Sequence, residues 1–128
     1  MTTHAVPERR MLLVSHTAKP EAIDATLQVA GMLREAGVTA VMTRANLDEF
    51  SPYLNGMQVA VLDEEVRSED LEIAIVLGGD GTILRAAEMV RGTHCPIAGV
   101  NLGHVGFLAE MEHHALNYTI ERVLSRQY

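Results

Sequence analysis

A chain of 128 residues, 48% of them apolar, is the size of one domain and can bury a core, which excludes a disordered tail. A net charge of −7 argues against nucleic acid as a partner, because phosphate backbones are gripped by clustered Lys and Arg. A single cysteine, Cys95, excludes an internal disulfide, no apolar run is long enough to span a bilayer, and Met1 to Arg10 lack a signal core, so the chain reads as soluble and cytoplasmic.

In chain order, Arg10 to Ser15 holds the short apolar run Met-Leu-Leu-Val and predicts a buried strand. Pro20 to Ala36 predicts a helix: Pro20 suits its first turn, Glu21 and Asp24 suit its positive end, and Ile23, Leu27, Ala30 and Leu33 form one apolar face. Gly37 stops it, and Val38 to Thr43 is a second strand. Asn46 to Gly56 reads as turns, from Pro52, Asn55 and Gly56. Val59 to Leu62 predicts a short or edge strand, and Asp63 to Glu72 a solvated connector. Ile73 to Leu77 is strand-like, Ile83 to Val90 helical with Gly92 closing it, Ile97 to Val100 a strand, and Leu116 to Arg126 a helix. Strands separated by helices imply a parallel sheet covered on both faces, a three-layer α/β/α sandwich.

The chemistry concentrates in Gly78-Gly79-Asp80-Gly81-Thr82, set between a strand and a helix. Ligands of open α/β sheets bind beyond the carboxyl ends of strands. Gly78, Gly79 and Gly81 remove the Cβ atoms that would hold a ligand off the backbone, and permit the positive φ that an anion-cradling turn often needs. The helix that follows aims unpaired N–H groups at the same spot, so a phosphate could rest there. Asp80 repels phosphate unless it meets a divalent cation carried on the phosphates or accepts a proton from an attacking hydroxyl. Thr82 could cap the helix, and Arg85 could face a phosphate or hold Asp80. No G-x-x-x-x-G-K-[ST] or G-x-G-x-x-G run is present, which disfavours P-loop proteins and dinucleotide-binding dehydrogenases.

A second dense stretch runs from Ile97 to Glu110, Ile-Ala-Gly-Val-Asn-Leu-Gly-His-Val-Gly-Phe-Leu-Ala-Glu. Asn101 can bond a base or a backbone, Gly103 and Gly106 clear space, Phe107 offers an apolar surface for a purine, and Leu108 anchors the loop. His16 follows the first strand and borders the same cleft. His113, His114 and Cys95 are set aside as metal ligands, because adjacent histidines point apart and Cys95 has no C-x-x-C partner.

GGDGT with I-L-R-A-A behind it, then G-V-N-L-G-H-V-G-F-L-A-E about twenty residues on, resembles the NAD kinase family. The GGDGT turn also occurs in diacylglycerol, sphingosine and sugar kinases; the N-L-G-x-x-G-F-L-A-E run selects NAD kinase. The resemblance implies a phosphofructokinase-like, Rossmann-like amino-terminal domain. It implies transfer of a phosphoryl group from ATP or polyphosphate, with magnesium, to the 2′-hydroxyl of the adenosine ribose of NAD, giving NADP. Asp80 matches the family's catalytic base, Gly78, Gly79, Gly81 and Thr82 its phosphate-binding turn, and Arg85 a substrate-contact position. Asn101 and Phe107 match positions beside the adenosine. His104 stands where arginine is common and is given no role. The family carries a β-rich carboxy-terminal domain that completes the NAD site, and some members form homo-oligomers. Nothing like that domain precedes Tyr128, so the expectation is a fragment inactive alone. The rival readings are a lipid or sugar kinase sharing GGDGT, and a non-enzymatic nucleotide-binding module.

Overall fold

The structure, a computed structural model, describes residues 8–16, 20–100 and 109–128, with side chains from 114 onward in the last stretch. Its strands are β1 (Arg10–Val14), β2 (Thr39–Met42), β3 (Ala60–Val61), β4 (Ile73–Leu77) and β5 (Ile97–Val100), and its helices α1 (Pro20–Glu35), α2 (Arg44–Phe50), α3 (Asp80–Met89) and α4 (Ala109–Leu124). The five strands form one parallel sheet in the order β3-β2-β1-β4-β5.

β1 and β4 are apolar at nearly every position because both faces of the sheet are covered. Side chains alternate between the faces. Met11, Leu13, Ile73, Ile75 and Leu77 pack with Val29, Ala30 and Leu33 of α1, Phe50 of α2, and Leu116, Ile120 and Val123 of α4. Leu12, Val14, Val41, Ala74 and Val76 pack with Ala86 of α3 and with Val90, its C-cap. Burying each of the larger side chains stabilises the fold by about 1.5–3 kcal/mol. The chain steps from β1 to β2 in one direction and from β4 to β5 in the other. Right-handed crossovers therefore put α1 and α3 on opposite faces, which makes the three layers.

The predicted strands fall where expected, with β3 pared to two residues at the edge. α1 ends as its sequence implies. Gly37 has φ +76°, its N–H donates to Arg34 O at 3.1 Å, and Val38 N donates to Leu33 O at 2.8 Å, the paired bonds of a Schellman stop.

Four expectations need correction. The stretch read as turns opens with α2, because the Thr43 side chain accepts from Asn46 N at 3.1 Å and caps a helix that buries Phe50. α3 begins at Asp80 rather than Ile83, so Gly79 is its N-cap and Thr82 caps nothing. The connector from Asp63 to Glu72 is only partly solvated: Val66 and Leu71 are buried, and Leu62 bridges Val66. α4 also starts earlier than its visible apolar stripe, at Ala109.

Glu72 closes the amino ends of the strands. Arg9 Nε donates to its Oε1 at 2.7 Å, Arg9 Nη2 to its Oε2 at 2.6 Å, and Tyr128 Oη to Oε2 at 2.6 Å. Arg9 Nη1 also donates to the Leu124 carbonyl at 2.8 Å, at the end of α4. The Arg9 hydrogen bond holds the Glu72 carboxyl below its usual range. A depressed carboxyl contributes stability above its unfolded value of about 4.3 and loses it as pH falls through the folded value. Glu72→Gln is expected to cost about 1–2 kcal/mol near pH 7. In urea titrations that deficit should shrink as pH drops below about 5. A deficit independent of pH would place its cause elsewhere.

Candidate functional site

The strand order reverses direction between β1 and β4, so the loops leaving their carboxyl ends diverge and open a crevice. Ser15 and His16 follow the carboxyl end of β1, and Gly78 to Thr82 follow that of its neighbour β4, so topology assigns them to the two sides of that crevice. β5 ends at Val100 in register with Leu77, so the chain enters the second motif one strand away from the glycine turn. Gly78 N donates to Val100 O at 3.1 Å, which ties the turn to that neighbour.

The glycines of the turn serve space rather than handedness. None of Gly78, Gly79 or Gly81 has a positive φ, contrary to the expectation from the sequence. Thr82, 5% exposed, folds its side chain back over Gly78: a Cβ there would lie 2.6 Å from Thr82 Oγ1 and 3.1 Å from Thr82 Cβ. A Cβ at Gly79 or Gly81 would meet no atom within 4 Å, so these two present bare backbone to the open side. Both are exposed beside the first turn of α3, where Thr82 N and Ile83 N already donate to Gly79 O at 3.1 Å, and the N–H groups of Asp80 and Gly81 precede any carbonyl their helix could offer. The result is a surface where an anion can approach the main chain.

Asp80 is the first residue of α3, exposed, and without a hydrogen bond or ion pair among the described residues. Arg85 is exposed five residues on, which carries it about 140° around the helix. The two form no salt bridge, so of the roles considered for Arg85 the one of holding Asp80 is not realised. The turn thus brings together Gly78, Gly79, Asp80, Gly81 and Thr82, with Arg85 a turn and a half along. Asn101, His104 and Phe107 lie outside the described residues.

The side opposite the glycine turn is held by a residue that the sequence analysis did not single out. Asn46, 5% exposed, reaches Ser15 with its side chain: Ser15 N donates to Asn46 Oδ1 at 3.2 Å and Asn46 Nδ2 donates to Ser15 O at 2.7 Å. The capping pattern of Thr43 three residues before Asn46 was the one available signal. Ser15 Oγ is buried there with no partner among the described residues.

A groove of about 1140 Å³ lies elsewhere, between α1, α2, the start of β2 and residues 56–60. It contains none of the glycine turn and lies beside β2 and β3 rather than between β1 and β4, so it is not where sheet topology places a ligand. Among the described residues, no group of three or more His, Cys, Asp or Glu is gathered to hold a metal, and no helix is long and apolar enough to cross a membrane. Cys95 is partly buried before β5, and desolvation pushes its thiol up to about 11, so it stays protonated at neutral pH.

Residues 11–128 match the family model described as the ATP-NAD kinase N-terminal domain. The chain is 46% identical to the NAD kinase of Leifsonia xyli subsp. xyli (strain CTCB07), over 94% of this chain and 40% of that protein. It is 42% identical to the NAD kinase of Thermobifida fusca (strain YX), over 94% of this chain and 37% of that protein. It is 37% identical to the NAD kinase of Mycobacterium tuberculosis (strain CDC 1551 / Oshkosh), over the whole chain and 43% of that protein. The chain thus spans about 40% of the length of these curated relatives. Its fold is similar to that of yeast NADH kinase, solved in complex with NADH, with a TM-score of 0.63 at 21% identity over 94% of this chain and 39% of that one.

Proposed function

The chain belongs to the NAD kinase family, and from that premise we propose that it forms the amino-terminal half of an enzyme that phosphorylates NAD to NADP. The carrying observation is the turn after β4, where bare backbone, the start of α3 and an unpartnered carboxylate meet at the point where the strand order reverses. Gly79 and Gly81 would let phosphate oxygens reach main-chain N–H groups. Asp80 would accept the proton of the adenosine ribose 2′-hydroxyl as that oxygen bonds to the γ-phosphorus of ATP and the bond to the β-phosphate oxygen breaks, releasing ADP. Arg85, Asn101 and Phe107 are proposed substrate contacts, the last two beside the adenosine.

Magnesium suits this arrangement as a cation that arrives with the nucleotide, since magnesium sites commonly combine one or two carboxylates with substrate phosphates. Asp80, free of other partners among the described residues, would be the chain's contribution. Bound there, the ion would offset phosphate charge. The setting we propose is the cytoplasm, consistent with the lone, protonated Cys95.

The remaining part of the site would come from a β-rich carboxy-terminal domain, so the 128-residue chain alone should form no NADP from ATP, NAD and magnesium, whereas the complete enzyme should. NADP production at comparable rates by both would remove the divided-site reading. Phosphorylation of a sphingoid base, diacylglycerol or sugar phosphate by the complete enzyme, with NAD untouched, would remove the assignment of substrate.

A further inference from the structure

The chain leaving β1 forms the crevice wall that faces the glycine turn, and beyond Leu12 it lacks a strand on its β2 side. β2 pairs with β1 from Arg10 to Leu12 and then gives way to α2, whereas pairing of β1 with β4 continues to Val14. Ser15 is the first residue past that pairing. The N–H and C=O of one residue in an extended chain leave on the same side, so a strand partner can bond both. Here the Asn46 carboxamide bonds both, at 3.2 and 2.7 Å, and stands in for the missing strand residue. The backbone N–H of Asn46 donates separately to Thr43 Oγ1 at 3.1 Å, the cap of α2, and takes no part in the side-chain bonds to Ser15. A carboxamide is suited to this because it carries a donor and an acceptor on one planar group; a carboxylate offers no donor and an aliphatic group neither.

We propose that Asn46 is a positioning residue of the nucleotide site. It fixes where the β1–α1 connection begins, and so sets the opening between Ser15–His16 and Gly78–Thr82 into which the nucleotide would enter. The inference rests on the NAD kinase reading. Asn46 touches no substrate; it acts through Ser15. Asn46→Asp keeps the acceptor for Ser15 N–H, loses the donor to Ser15 C=O, and sets a carboxylate against that carbonyl oxygen. Thr43→Val removes the cap of the same helix and leaves the two bonds to Ser15 in place.

The test is steady-state kinetics of the complete enzyme carrying this domain, with NAD and ATP, alongside thermal melts. Losing one buried hydrogen bond at this wall should raise KM for NAD about tenfold in Asn46→Asp with kcat little changed. Thr43→Val should lower the melting temperature and leave KM unchanged. Should Asn46→Asp fail to fold, Asn46→Ser, uncharged and lacking the carboxamide that makes both bonds, must show a comparable rise in KM. An unchanged KM in a folded Asn46 variant would overturn the proposal, as would an equal rise in Thr43→Val, which would mean that any weakening of α2 has this effect. A parent enzyme that makes no NADP would remove the functional reading and this inference with it; an active parent with unaltered variants removes this inference alone.

Discussion

Replacing Asp80 by Asn in the complete enzyme is expected to cut kcat for NADP formation by about 10²–10⁴-fold, the range that a positioned general base contributes. The substitution preserves shape and removes the negative charge, and with it the ability to take a proton and the contact offered to magnesium. Asp80 is exposed and unpartnered among the described residues, so the fold does not depend on it. The only stability it should forfeit is the favourable meeting of a carboxylate with the start of α3, about 0.3–1 kcal/mol at most for an exposed group. A large drop in turnover with an almost unmoved melting curve is therefore the signature, read by coupling NADP formation to a dehydrogenase. Turnover within a few-fold of the parent would take Asp80 out of the proton-transfer role.

Gly78→Ala should do damage of a different kind. The added Cβ would lie 2.6 Å from Thr82 Oγ1, closer than such atoms approach, and Thr82 is buried and branched at its own Cβ. Either Thr82 must leave its rotamer or the first turn of α3 must move off β4. Overpacking of this sort costs about 1–3 kcal/mol. Asp80 rides on that same first turn, so binding of nucleotide and turnover should fall together with stability. Thr82→Ala removes the nearest clashing atom, and in the double variant the two stability losses should be clearly less than additive. Simple additivity in urea midpoints would show that the two side chains do not collide. Gly79→Ala provides the contrast: a Cβ there meets no atom within 4 Å, so stability should hold while anions lose access to the backbone.

The layers were legible because their signals are local. β1, β4 and β5 are short apolar runs, and Pro20 and Gly37 bracket α1 at both ends. α2 escaped because seven residues make too few turns for a stripe to show, and the adjacent Pro52, Asn55 and Gly56 speak loudly for turns. The start of α3 was misplaced for a related reason. Its opening residues are Asp80, Gly81 and Thr82, poor helix formers that are held in place by the fit of Thr82 over Gly78 rather than by propensity. The glycine turn itself could be read as an anion cradle, but not the reason for its first glycine, which is a packing contact. Pairs distant in sequence were out of reach: Arg9 with Glu72, 63 residues apart, and Ser15 with Asn46, 31 apart, leave no mark on the residues around either member.

The Arg9–Glu72–Tyr128 cluster also pins the end of α4 to the amino ends of β1 and β4. Tyr128 rests on the floor of the sheet, while Asp80 stands on the ledge at its top, a five-residue strand away, or about 17 Å at 3.3 Å per residue. A change at Glu72 is therefore felt at the floor of the sheet, and the ledge that carries Asp80 should keep its shape.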